Sequence, residues 1–218
     1  MNAFVLAGGA STRMGRDKAL LLLNDRPLIE HALDKLRAIG FAPRIVGSRP
    51  DLASFAPVIP DNFAHTGPLG GIQAALAITS TEQNLFLAVD LPVLLAFFLQ
   101  WIAARAAITT ALATIPLLQG RPQPLCAVYS RALLPHIQAS LAAGDAKVTH
   151  VVESAARATH ASIDFFNVES VASAQCWPQP FQLHLWFQNI NAPADLEKLE
   201  TAIHFRVCGD RSTSRASK

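Results

Sequence analysis

The segment Phe4 to Lys18, F-V-L-A-G-G-A-S-T-R-M-G-R-D-K, constrains this chain more than any other. Asn2 to Leu6 is short, uncharged and followed at once by paired glycines, so it reads as a buried strand. The residues after it bring Gly8, Gly9 and Gly15, the hydroxyls of Ser11 and Thr12, and the cations Arg13, Arg16 and Lys18. Paired glycines let a backbone turn with positive φ and come close to a ligand. Consecutive N–H groups in such a turn form an anion-binding concavity, and the three cations add charge to it. The chemistry suits a polyphosphate, so a nucleotide site is expected at the end of the first strand. The competing reading is a glycine-rich surface loop that binds nothing.

Downstream, apolar strands alternate with helical periodicities, with polar motifs at the strand ends. This predicts a three-layer α/β/α sandwich around a mostly parallel central sheet. Pro27 followed by Leu28, Ile29, Ala32, Leu33, Leu36 and Ile39 predicts a helix that Gly40 stops. Arg44 to Gly47 and Pro57 to Pro60 read as strands. The second delivers Asp61 beyond its carboxyl end, where open α/β sheets bind ligands. Gly67-Pro68-Leu69-Gly70-Gly71 opens a helix through Ile78, and its small residues fit either a ligand at the helix N-terminus or close packing on the sheet. Asn84 to Val89 is a strand of continuous apolar character, hence central and parallel, and it ends in Asp90-Leu91-Pro92. A carboxylate at that tip suits a magnesium ion. Read alone, Asp90 fits a helix N-cap better.

A helix is expected over Leu94 to Ala107, with Phe97, Phe98 and Trp101 in the core. Ala111 to Leu118 and Pro124 to Ser130 predict two strands whose short link suggests an antiparallel element at the sheet edge. Helices follow over Arg131 to Ala142 and Lys147 to Ala156, then a strand over Ala161 to Phe166. Val168 to Pro180 reads as a surface loop, and Gln182 to Phe187 alternates like a half-buried strand. Gln188 to Pro193 leads into a final helix over Ala194 to Ile203. One domain is expected over residues 1–207, with a disordered tail over 208–218.

Composition excludes several classes. Net charge is +2 and the charges are scattered rather than striped, which argues against nucleic acid. Cys126, Cys176 and Cys208 are an odd count without CxxC spacing, so neither a disulfide framework nor a zinc site is expected and a reducing compartment is the default. The N-terminus lacks the basic and apolar regions of a signal peptide. The most apolar stretch, Leu91 to Ile108, is broken by Pro92, Gln100 and Arg105, so no membrane span is expected. The expected location is the cytoplasm.

Gly8, Gly9 and Gly15 do not have the spacing of a dinucleotide fingerprint, and the lysine stands too far from them for a Walker loop. The pattern L-A-G-G-x-S-x-R-M-G-x-D-K instead resembles the signature of nucleotidyltransferases with a Rossmann-like fold, most closely the molybdenum cofactor guanylyltransferases. The resemblance runs from residue 2 to about residue 200 and is densest at this loop, Pro27 to His31, Pro60 to Gly71 and Val89 to Pro92. Weaker matches lie at Pro124 to Tyr129 and Asn189 to Leu196.

The resemblance implies transfer of GMP from GTP to the molybdopterin cofactor with release of pyrophosphate, and transient contact with molybdoenzyme maturation proteins. Carried over position by position, it makes Leu6, Ala7, Gly8 and Gly9 nucleotide-contacting backbone, Lys18 the phosphate-neutralising lysine and Asp61 a nucleotide contact. Asp90 becomes the ligand of Mg2+ beside the nucleotide, and Arg13 joins Lys18 and Asp90 as a catalytic residue. Asn189 and Asn191 fit an acceptor-orienting role, or equally a turn before Pro193. The family often has an asparagine after its second strand where this chain reads Ile45-Val46-Gly47-Ser48. The nearest rival is a molybdenum cofactor cytidylyltransferase or another small nucleotidyltransferase of the same fold. Asp17-Lys18 and G-P-L-G-G favour the guanylyl branch. A non-catalytic nucleotide-binding protein is the rival from another class, against which Lys18 and Asp90 both stand.

Overall fold

The computed structural model describes residues 1–8, 17–63, 66–177, 183–190, 195–197 and 199. Strand β1 (Asn2–Leu6) leads to the hairpin of β2 (Leu22–Leu23) and β3 (Arg26–Pro27), then α1 (Leu28–Ala38), β4 (Arg44–Val46) and β5 (Val58–Ile59). Next come α2 (Pro68–Ile78), β6 (Gln83–Ala88), α3 (Ala96–Thr109), β7 (Ala113–Leu118), β8 (Arg121–Pro122) and β9 (Cys126–Ser130). The remainder is α4 (Leu134–Ala142), α5 (Val148–Thr159), β10 (Ile163–Asn167), α6 (Val168–Ala174) and α7 (Leu183–Trp186).

The main sheet has the order β10-β7-β9-β6-β1-β4-β5, with β8 hairpinned onto β7. Strands β5, β4, β1 and β6 pair in parallel, and β10 pairs in parallel with β7. Strand β9 runs antiparallel to both of its neighbours. Both sheet faces are covered, which explains why the central strands are apolar without alternation. Ala3 and Val5 of β1 pack with Leu28, Leu33 and Leu36 of α1 and Phe98 and Ile102 of α3. Phe4 and Leu6 point the other way, into a second core with Ile72 and Leu76 of α2, Ile137 of α4 and Val151 and Val152 of α5. The three-layer expectation holds.

Local signals account for the element ends. Asn24 and Asp25, at φ 50° and 59°, make the two-residue turn between β2 and β3, the conformation that matches hairpin twist. Helix α1 ends in a Schellman motif: Phe41 N–H donates to Leu36 O at 3.1 Å and Gly40 N–H to Arg37 O at 3.0 Å, with Gly40 at φ +88°. Phe98 does lie in the core, and the half-buried Phe97 and Trp101 pack against it, all three meeting Trp177 edge-on.

Three expectations are corrected. The antiparallel pair β7 and β9 lies inside the sheet, because β9 pairs with β6 on its far side and β10 returns to cover β7. Val168 to Ala174 is helix rather than loop: the Asn167 side chain accepts from Ser170 N–H at 3.0 Å as an N-cap, and Val168 and Ala172 are buried. Of Gln182 to Phe187, the described residues 183–187 do not form a strand. Leu183–Trp186 is a short helix, and consecutive Trp186 and Phe187 are both buried against Phe98, which an alternating strand does not allow. Of the final helix, 195–197 and 199 are helical, and its remainder lies outside the described residues, as does the expected tail at 208–218.

Candidate nucleotide site

Four parallel strands end side by side, and every sequence-predicted site residue that is described lies at their carboxyl ends or next to them. Ala7 N–H donates to Val46 O at 3.0 Å, Val89 N–H to Leu6 O at 3.1 Å, and Gly47 N–H to Ile59 O at 2.9 Å. These bonds carry the ladders one residue beyond β1, β6 and β4, so Ala7-Gly8, Gly47, Asp61 and Asp90 emerge together.

The backbones there pack too closely for side chains. A Cβ on Gly47 would stand 2.7 Å from Gly8 N and 2.8 Å from Gly8 Cα, and Gly47 has φ +141°. A Cβ on Gly8 would stand 3.1 Å from Asp61 Oδ2. On α2, a Cβ at Gly71 would meet Val46 Cγ1 at 3.2 Å and Leu6 Cδ2 at 3.3 Å. Gly71 of G-P-L-G-G therefore does serve close helix–sheet packing. Together with Gly67 and Pro68 it also walls a narrow crevice against Leu6, Gly8, Val46 and Asp61.

Two carboxylates face this region incompletely satisfied. Asp61 Oδ1 and Asp90 Oδ1 are both buried without a hydrogen-bond partner among the described residues. Burial pushes the Asp61 carboxyl above its usual range. Burial does the same to Asp90, and the nearby Lys18 ammonium partly offsets it. Lys18 Nζ lies 3.5 Å from Asp90 Oδ2, the two side chains being 25% and 16% exposed. Asp90 does not cap a helix: α3 starts at Ala96, with Leu95 at its N-cap. One free oxygen on a shielded carboxylate at a strand tip is a donor set that fits a divalent ion completing its shell with phosphate oxygens and water. Among the described residues no cluster of three or more potential ligands forms a metal site by itself.

The remaining candidates divide by position. Asp90 O accepts from Ile190 N–H at 3.1 Å, which brings exposed Asn189 to the same edge. Gly9, Arg13 and Asn191 lie outside the described residues. Among the described residues the histidines play no part in the constellation; His31 Nε2, for instance, is hydrogen-bonded with Leu23 O at 2.8 Å. Sequence reasoning missed Gly47, noting only the absent asparagine. Its signal was present: a lone glycine directly after an apolar strand marks close backbone approach. It also missed Arg49, which clasps Asp17 and Asp51.

The family model for the MobA-like NTP transferase domain matches residues 3–160. A probable molybdenum cofactor guanylyltransferase of Carboxydothermus hydrogenoformans is 31% identical over 198 residues, covering 89% of this chain and 92% of its own. One from Pyrococcus furiosus is 32% identical over 206 residues, covering 91% and 96%. Among solved structures, the molybdopterin-guanine dinucleotide biosynthesis protein A of Archaeoglobus fulgidus superposes with a TM-score of 0.74 at 24% identity, covering 96% of this chain and all of that one. That likeness establishes the fold.

Proposed function

The chain belongs to the MobA-like NTP transferase family, and from that premise we propose that it transfers GMP from GTP to the molybdopterin cofactor, forming the guanine dinucleotide and releasing pyrophosphate. The observation that carries the reading is the pairing of Lys18 with Asp90 at a strand tip where Asp90 Oδ1 remains buried and unpartnered. Such a carboxylate is a poor resting structure and a good receptor for a cation.

In the reaction the acceptor's terminal phosphate oxygen attacks the α-phosphorus of GTP. A new P–O–P linkage forms, and the bond from the α-phosphorus to the β-bridging oxygen breaks, its electron pair leaving with pyrophosphate. Nucleophile and leaving group are both anionic, so the protein contributes position and charge neutralisation rather than a covalent intermediate. The Gly8–Gly47 apposition leaves no side chain between the β1 backbone and the nucleotide. Lys18 supplies the charge that meets the leaving phosphates, and Arg13 adds to it. Asp61, with an acceptor oxygen facing the crevice, takes N–H or O–H groups of the nucleoside. Asp90 would hold Mg2+, which when bound withdraws charge from the α-phosphate. Asn189 and Asn191 would orient the acceptor.

We place the reaction in the cytoplasm: an exposed free thiol at Cys176 suits a reducing compartment, and no described helix is long and apolar enough to cross a membrane. Transient contact with maturation proteins would pass the product on. The test is incubation with the cofactor, magnesium and GTP, CTP or ATP in turn. GTP is expected to yield pyrophosphate and a product heavier by GMP. Preferential turnover of CTP or ATP, or GTP binding without turnover, would contradict the proposal.

A further inference from the structure

We propose that Arg49 is a positioning residue for Lys18, acting through Asp17; the inference rests on the role of Lys18 given above. Arg49 lies two residues past Gly47, in a turn where its N–H donates to Gly47 O at 2.8 Å. An arginine so near a polyphosphate site invites a reading as a direct phosphate ligand. Its guanidinium is already committed. Nε and Nη2 donate to the two oxygens of Asp51 at 2.9 and 2.6 Å, and Nη2 also pairs with Asp17 Oδ2. One guanidinium between two carboxylates gives the trio a net charge of −1 (+1 from Arg49, −2 from the aspartates), which repels a phosphate. Arg49 is also better shielded than either partner, at 19% exposure against 33% and 49%.

What the trio does hold is the turn that carries Lys18. Asp17 divides its oxygens: Oδ2 meets Arg49, and Oδ1 accepts from Ala19 N–H at 2.9 Å. The second bond caps the 3-10 turn Lys18–Leu20, which is closed by Leu20 N–H to Asp17 O and Leu21 N–H to Lys18 O, both at 3.2 Å. From that turn Lys18 reaches Asp90. The fork geometry on Asp51 fixes the guanidinium plane, so Asp17 is presented with a donor in one orientation. Gly8 and Asp17, which flank residues 9–16, thus both rest on the same turn after β4, one through Gly47 and the other through Arg49. Freed of Arg49, Asp17 keeps its charge but not its orientation, and the ammonium loses its fixed place.

The test compares Arg49→Met, Arg49→Lys and Lys18→Ala, alone and combined, in GMP transfer and in amide exchange over residues 17–21. Arg49→Met should lower kcat by roughly tenfold to a hundredfold, the scale of a displaced catalytic group. It should also speed exchange at the Ala19 amide. Arg49→Lys, a point charge without the fork, should recover part of both. In the Lys18→Ala background Arg49→Met should cost nothing further in rate, because the effect travels through Lys18; a merely structural residue would give additive losses. Unchanged exchange at residue 19, or a loss that adds to that of Lys18→Ala, overturns the inference. If the unmodified chain transferred no GMP, the proposed function would fall, and protection of the Ala19 amide by Arg49 would still decide the positioning role.

Discussion

The two ends of the central strands treat buried polar groups in opposite ways. At the amino end, Asn2, Thr79, Thr81 and Asn84 form a closed network. Asn2 Nδ2 donates to Thr79 Oγ1, while the Thr79 and Thr81 hydroxyls both donate to Asn84 Oδ1, each at 2.8 Å. Asn84 Nδ2 returns a bond to Thr81 O at 3.0 Å, and Asn84 is fully buried. Gln83 Oε1, orphaned nearby, is neutral, and its amide nitrogen bonds Ala111 O. At the carboxyl end, two carboxylates each keep a buried oxygen without a partner, beside backbones that touch only because Gly8 and Gly47 have no side chains. A closed network stabilises a fold, while buried charge left half-satisfied destabilises it unless something binds. The comparison separates the end of the sheet that holds the molecule together from the end we propose as the nucleotide site.

The largest effects should come from the carboxyl end, on rate alone. Lys18→Ala and Asp90→Asn should each lower kcat/KM for GMP transfer by about a hundredfold or more. Their circular dichroism spectra should not change. Near-normal rates in either folded variant would remove that residue from the site. Gly47→Ala should affect both properties: a Cβ would collide with Gly8 N, and φ +141° strains any side chain. A loss of roughly 1–3 kcal/mol in stability is expected, together with weaker GTP binding by calorimetry. Unaltered GTP affinity would show that the apposition is structural only. Asn84→Ala should do the reverse, costing about 1–3 kcal/mol through the partners it orphans, with kcat unchanged. A rate defect there would blur the division between the two ends.

Much of this arrangement was legible because its signals are local. The span of β1, the exit of the chain into Gly8, and the aspartates that follow β5 and β6 all follow from apolar runs meeting glycine, proline or charge. What escaped depends on distant partners. Nothing near Cys126–Ser130 says that β9 will insert between β6 and β7. The alternation of Q-L-H-L-W-F was overridden because Phe98 draws Trp186 and Phe187 into the same core. Val168–Ala174 carried an asparagine cap and helical spacing of its buried residues, but serine and glutamine in the longer window obscured both. Arg49 has a local partner in Asp51, but nothing near it signals the contact with Asp17, which stands 32 positions earlier in the chain.

The smallest expected effect is also the most direct probe of the contrast: the unfolding midpoint of the unmodified chain against Asp61→Asn, with and without GTP and magnesium. Burial alone raises the Asp61 pKa in the folded state. A raised carboxyl gives stability that is fully present below its unfolded value and is lost as pH rises through the folded value. At neutral pH the unmodified protein therefore carries an unfavourable buried charge that asparagine lacks. Without ligand, Asp61→Asn should melt higher than the unmodified chain, and the gap should close as pH falls through the raised folded value. With GTP and magnesium the order should invert, because the charged carboxylate is a stronger acceptor for the nucleoside than the neutral amide oxygen. If Asp61→Asn melts lower in both conditions, or higher by the same margin in both, the carboxyl end is not held open for a nucleotide and the account fails.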